Sequence, residues 1–260
     1  MEFGVTQNQA NNKLAIQELL IKGFTLFKTG FRDILGILIT QTFSLIALIV
    51  ILFTISLSFY DNANLTSLPP KFIISILVSI LIILFVQLGF IAAFTTKFWA
   101  IAHQKRISST HAYRLGISKA LPLLAWVLIY IVLVGIGLAL FVIPGLIIAA
   151  ALFMGAALII QNRYSTLGAL KASYKMVWPN LQQTLFYIVM SAAITLTIYF
   201  LTLYPLGLLI SYLTNSYPLL NGIFDIARYA LIVMLVPLFV ALIIPYYMEV
   251  LKLKHDETLK

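Results

Sequence analysis

The sequence predicts an all-α, polytopic membrane protein: six transmembrane helices in three helical hairpins, each hairpin preceded by a cytoplasmic interfacial amphipathic helix. Three observations predict it. The 260 residues are 62% hydrophobic and only 10% charged, with a mean hydropathy of +1.05, whereas a soluble domain carries about 25% charged residues. Apolar residues gather in runs close to the ~20 residues that a bilayer requires. The polar segments ahead of alternate runs are basic, and their apolar residues recur with helical period.

The first segment, 1–33, is polar and amphipathic. Ile16, Leu19, Leu20, Phe24, Phe27 and Phe31 fall at spacings of three and four, with Lys13, Gln17, Glu18, Lys22, Lys28 and Arg32 on the other side. That pattern predicts a helix lying in the interface plane. The run that follows is too long for a signal core and has no small-residue cleavage site, so it is expected to stay as a membrane anchor. Spans are predicted over 34–60 and 72–100, joined by a short outer loop at 61–71. A second, weaker amphipathic stretch, 108–119, has Ser108-Ser109-Thr110 as its cap and Tyr113, Ile117 and Ala120 as its apolar residues.

The stretch 120–161 is apolar without interruption. At about 1.5 Å per residue it would make a helix of roughly 63 Å, twice the ~30 Å of hydrocarbon. Pro144 and Gly145 mark the division, since proline suits a first helical turn and glycine a tight turn. Spans are therefore predicted at 120–143 and 144–161, with Val142-Ile143-Pro144-Gly145 as the hairpin turn. A third amphipathic helix starts at an N-cap, Ser165, with Leu167, Leu170, Tyr174, Val177 and Trp178 as its stripe and Lys171 and Lys175 outward. The fifth span, 183–213, contains Pro205 and Gly207. It is expected to kink there and run along the outer interface with Tyr204, Tyr212 and Tyr217. The sixth, 223–248, is interrupted by Pro237 and Pro245, and 249–260 is a cytoplasmic tail. No linker marks a second domain within the membrane unit, 34–248, and the chain reads as three copies of one motif, an interfacial helix followed by two spans.

Orientation follows from the cations. Of the 17 Lys and Arg, all but Lys71 and Arg228 lie in segments that share one side of this topology. The two exceptions have Asp61 and Asp225 near them. The bias predicts cytoplasmic N- and C-termini and explains the net charge of +9 without nucleic acid.

Val142-Ile143-Pro144-Gly145-Leu146, Gln161-Asn162, Ala169-Leu170-Lys171-Ala172-Ser173-Tyr174 and Trp178-Pro179-Asn180 together resemble the YciC-type bacterial inner-membrane proteins. They are also similar to the multi-span membrane domain of some glycerophosphodiester phosphodiesterases. The similarity is clearest over about residues 120–200. It implies a bacterial inner-membrane protein of about six spans without an assigned reaction, and it does not carry phosphodiesterase activity to this chain.

The chemistry-bearing residues are few. The chain has no cysteine, which removes disulfides, thiolate zinc sites, iron–sulfur clusters and thiol catalysis. His103, His111 and His255 are scattered over cytoplasmic segments, away from the spacing of a zinc helix. Ser44, Ser75, Ser79 and Ser191 have no His or Lys at membrane depth to activate them. Asp, Glu, Lys and Arg are missing from the interior of the predicted spans, where they would mark function. Gln41 and Gln87 are the most polar groups there, and they suit one interhelical hydrogen bond better than a solute path. Gly89, Ala92 and Ala93, with Gly155, Ala156 and Ala157, suit close helix packing, as does Gly135-Ile136-Gly137.

The expected protein is therefore not an enzyme and takes no cofactor. It acts in envelope or lipid organisation, with Lys22, Lys28, Arg32, Lys171 and Lys175 as head-group contacts. Membrane lipids, anionic ones included, are its expected partners, and a homo-oligomer is compatible with the sequence. The alternative is a transporter or channel for an uncharged or amphipathic solute.

Overall fold

The structure is a computed structural model that describes residues 3–58, 70–161, 163–216, 233 and 235–258. The described residues form helices and no strand. In chain order these are α1 (Phe3–Ser58), α2 (Pro70–Ala102), α3 (Ser109–Leu140), α4 (Val142–Leu152), α5 (Gly155–Ile160), α6 (Thr166–Val177), a 3₁₀ turn (Trp178–Asn180), α7 (Leu181–Ile198), a π-helical turn (Tyr199–Leu203), α8 (Tyr204–Ser216) and α9 (Leu235–Thr258). Five stretches are long and apolar enough to cross a bilayer: Ile16–Leu52, Pro70–Ala102, Ser109–Leu140, Val142–Ile160 and Thr166–Leu209. The protein is a multi-pass membrane protein. Leu235–Leu251 is apolar but shorter. The opening part of the predicted sixth span, with Asp225 and Arg228, lies outside the described residues, as do Tyr217 and the predicted outer loop up to residue 69.

Small residues set the packing. Lipid tails are as apolar as leucine, so membrane helices associate where their backbones approach closely. Gly30 of α1 lies against Phe98 and Ile101 of α2, and Gly116 of α3 lies against the Gly89 carbonyl and Ala93 of α2. Gly137 of α3 meets Gly145 of α4, where a Cβ on Gly137 would stand 2.8 Å from the Gly145 Cα. Phe90, Phe94 and Phe98 fill the space between α1, α2 and α9.

The hairpin turn between α3 and α4 is shorter than predicted, and earlier. It is one residue, Phe141, in extended conformation, and Pro144 and Gly145 already belong to the first turn of α4. The physical reason is that an amide in a first helical turn needs no helical partner, so Pro144 marks the start of a helix and not the turn before it. Gly145 serves the close approach to Gly137.

The predicted interfacial helices also differ in form. The first is not separate: α1 carries through residues 33 and 34 without a break. The second is the opening of α3, capped by Ser108, whose hydroxyl accepts from the His111 amide at 3.1 Å. The third, α6, is capped by Ser165, which accepts from the Gly168 amide at 3.4 Å. It passes into α7 through the 3₁₀ turn at Pro179. In the fifth span, the Pro205–Gly207 region continues as helix, and the irregularity is the π-helical turn just before Pro205.

The fourth span contains a break that the sequence reading lacks. α4 ends at Leu152 and α5 begins at Gly155. The Phe153 amide bonds the Ala150 carbonyl at 3.2 Å instead of the one before it. Two hydroxyls reach the carbonyls beside the break. Tyr130 of α3 donates to Ala149 O at 3.4 Å, and Ser173 of α6 donates to Ala151 O at 2.8 Å. Interruptions at membrane depth are tolerated when neighbouring side chains meet the backbone in this way.

Candidate functional site

The predicted head-group cations are all on the surface. Lys22, Lys28 and Arg32 are exposed along α1, and Lys22 pairs with Glu18 one turn back at 2.6 Å. Lys171 and Lys175 are exposed on α6. Lys97, counted among the cytoplasmic cations, differs. It is 7% exposed, and its ammonium donates to the Ile107 carbonyl, pinning the α2–α3 connection.

The stripes beside those cations divide in a way that hydropathy did not predict. On α1, Ile16, Leu19 and Leu20 are buried in the same core as Leu238, Leu242 and Tyr246 of α9. Phe24, of the same stripe, is exposed. Its place at the helix crossing belongs to Gly23, where a Cβ would stand 2.7 Å from Leu242 Cα and 3.1 Å from Ala241 O. Ala241 is four residues before Pro245, so its carbonyl lacks the usual helical donor, and only a glycine lets α1 come down on that bare strip. Apart from Phe24, the α1 stripe is thus packed on protein.

On α6 the reverse holds. Ala169, Ala172, Ser173, Met176 and Val177 face inward. Leu167 is 70% exposed, and Tyr174 and Trp178 are exposed with their rings 5.0 Å apart. Lys171 and Lys175 stand on this same outward surface.

Gln41 and Gln87 meet across α1 and α2. Gln41 Nε2 donates to Gln87 Oε1 at 2.6 Å. Gln41 is 1% exposed, and its Oε1 and the Gln87 Nε2 are buried without a protein partner. Neither residue lines the cavities described below. Ser75 and Ser79 donate back to carbonyls of their own helix.

A cavity of about 520 Å³ runs between α2, α3, α5, α7 and α9. Its walls are almost wholly apolar, with Ile91, Trp126, Phe153, Ala157 and Ile243 among them. The Trp126 Nε1 has no acceptor, because the ring packs on Gly155. At one end the cavity adjoins a smaller one of about 300 Å³ bounded by Thr96, Trp99, Gln161 and Arg163; both share Thr95 and Ile160. Gln161 Oε1 accepts from the Tyr247 hydroxyl at 3.4 Å, while its Nε2 is buried without an acceptor. Trp99 packs on Tyr247 at 5.4 Å and on His103 at 4.7 Å.

Hydropathy does not reveal this groove. Its one sequence trace is the Gln161-Asn162-Arg163 cluster directly after an apolar run. Between α7 and α9, Tyr187 and Tyr246 stack at 4.5 Å, with Tyr246 bonded to Thr184 and Tyr187 to the Leu242 carbonyl. These contacts fasten α9 in place. No family model, curated protein or solved structure matches the chain.

Proposed function

We propose that this chain is a non-catalytic integral protein of the bacterial inner membrane that organises lipid in the cytoplasmic leaflet and supports the envelope through it. In this reading six spans form three hairpins, and both termini are cytoplasmic. The observation that carries it is the outward face of α6, where Leu167, Tyr174 and Trp178 stand exposed beside Lys171 and Lys175. Tyrosine and tryptophan favour the bilayer interface. A lysine near an anionic surface contributes about 1 kcal/mol of attraction. Topology alone requires the lysines but not an aromatic surface between them. Lys22, Lys28 and Arg32 extend the basic surface along α1. The one-sided placement of Lys and Arg supports the orientation, and the resemblance to YciC-type proteins supports the inner membrane.

The test is lipid enrichment around the reconstituted full chain, read by energy transfer from tryptophan to a dansyl-labelled anionic lipid and to a neutral one. The anionic lipid is expected to be enriched, and Lys171→Glu with Lys175→Glu is expected to equalise the two. Equal transfer in the parent protein, together with a normal envelope in cells lacking it, defeats the reading. A tag at either terminus that is reached from the periplasm defeats the topology.

The groove favours a second reading, a carrier for an uncharged or amphipathic solute, since broken helices often line such sites. Solute flux in proteoliposomes that stops on filling the groove with Ala157→Phe would promote it.

A further inference from the structure

We propose that the groove between α2, α5 and α9 holds one acyl chain of a glycerophospholipid, with the lipid's phosphate at Arg163 and Gln161. The inference rests on the lipid reading above and names the ligand of one site within it.

Two features of the groove select this ligand. The first is its shaft. Its volume of about 520 Å³ lies within the ~300–1,000 Å³ of ordinary ligand sites, yet it offers a ligand almost nothing to hydrogen-bond. Thr95 donates to Ile91 O at 2.8 Å, and Thr195 donates to Ser191 O at 2.9 Å. Both hydroxyls are spent on their own helices. A sugar, nucleoside or amino acid would be stripped of water there with no replacement, whereas an alkyl chain loses nothing.

The second feature is the mouth. Arg163 has no carboxylate within salt-bridge distance among the described residues, and the Gln161 amide N–H₂ is buried without an acceptor. A solvent-exposed guanidinium and a buried, orphaned amide border one small cavity, and an acceptor with several oxygens would meet both. A phosphodiester supplies it, in the bidentate geometry that guanidinium favours. The shaft and mouth share Thr95 and Ile160 as wall residues, so a chain in one and a phosphate in the other lie close enough to belong to one lipid molecule.

The test uses the detergent-solubilised full chain with Trp99→Phe and Trp178→Phe, leaving Trp126 on the groove wall as the sole tryptophan. Phosphatidylglycerol and phosphatidylethanolamine with brominated acyl chains are expected to quench Trp126 saturably and with similar affinity, because both carry the phosphate. Diacylglycerol with the same brominated chains is expected to bind at least about tenfold more weakly, and Arg163→Gln to weaken the phospholipids by about tenfold, the size of a charge-assisted hydrogen bond. Ala157→Phe is expected to abolish quenching. Ile243→Trp in a Trp126→Phe background, scored by retention of unlabelled lipid in native mass spectrometry, blocks the groove from the opposite wall should Ala157→Phe fail to fold. Equal quenching by diacylglycerol, or full quenching in a groove-filled variant, overturns the assignment. Anionic enrichment at α6 is read at Trp178 alone in a Trp99→Phe, Trp126→Phe background, so a failed groove with that enrichment intact sinks the site alone.

Discussion

Replacing Gly23 by alanine tests the crossing of α1 over α9. The added Cβ would sit 2.7 Å from Leu242 Cα, 3.1 Å from Ala241 O and 3.2 Å from Leu242 O. Carbon atoms rest at about 3.5–4.0 Å, so the helices must separate by roughly 1 Å. Neither side can yield by rotating a side chain, because all three atoms are backbone. The separation loosens Ile16, Leu19 and Leu20 from the core they share with α9. Overpacking of this kind costs about 1–3 kcal/mol, and a purely backbone obstacle places Gly23→Ala toward the upper end. The measurement is unfolding of the full chain in mild detergent titrated with dodecyl sulfate. Gly135→Ala is the control, since a Cβ there meets nothing within 4 Å; it should stabilise by about 0.5–1 kcal/mol through helix propensity. Cross-linking adds a geometric readout. The chain has no cysteine, so cysteines at Lys22 and Glu249, which line one cavity, report the α1–α9 gap alone. Gly23→Ala with unchanged stability and unchanged cross-linking would refute the close-approach reasoning.

Three more outcomes follow from the same contacts. Ser173→Ala leaves the Ala151 carbonyl at the α4–α5 break without its donor, and should cost about 1–3 kcal/mol in the same titration; Ser173→Thr, which keeps the hydroxyl, separates the bond from the space. A double-mutant cycle of Gln41→Leu and Gln87→Leu should give a coupling energy near 0.6 kcal/mol, the average for interhelical hydrogen bonds in membranes; additivity of the two changes would mean that the 2.6 Å contact does no energetic work. Gln104 has φ 57° at the end of α2, so Gln104→Gly should relieve about 1 kcal/mol of left-handed strain, seen as a higher unfolding midpoint.

Hydropathy located the membrane helices because only long apolar runs survive in hydrocarbon. Cap residues were equally legible: Ser108 and Ser165 each stand where a first turn needs an acceptor, and both accept. What hydropathy could not supply was the direction of each face. In water an apolar stripe turns inward, but in a bilayer either side is apolar, and close approach decides. Phe24 was therefore read as one more residue of an interfacial stripe, and nothing marked Gly23 as the point of contact. On α6 the alanines and Ser173 face inward while Leu167, Tyr174 and Trp178 face out. The α4–α5 break was invisible for another reason. Its compensating hydroxyls come from Tyr130 and Ser173, neither of them a local signal. The groove was hidden likewise, since Thr95, Ile160 and Tyr247 come together only once three helices have packed.

The tip of the α3–α4 hairpin sets how deep the molecule rides. Leu140, Phe141, Val142 and Ile143 point outward in succession, Phe141 at 75% exposure, with no polar side chain among them. Backbone demand at the bend is met internally, for Phe141 N bonds Gly137 O at 3.1 Å and Gly145 N bonds Phe141 O at 3.4 Å. Such an apex is at ease in oil and uneasy in water, at about 1.5–3 kcal/mol for each large apolar side chain wetted. Any vertical displacement that lifted it clear of the hydrocarbon would be opposed at that one point, so the apex acts as a draught mark for the whole bundle.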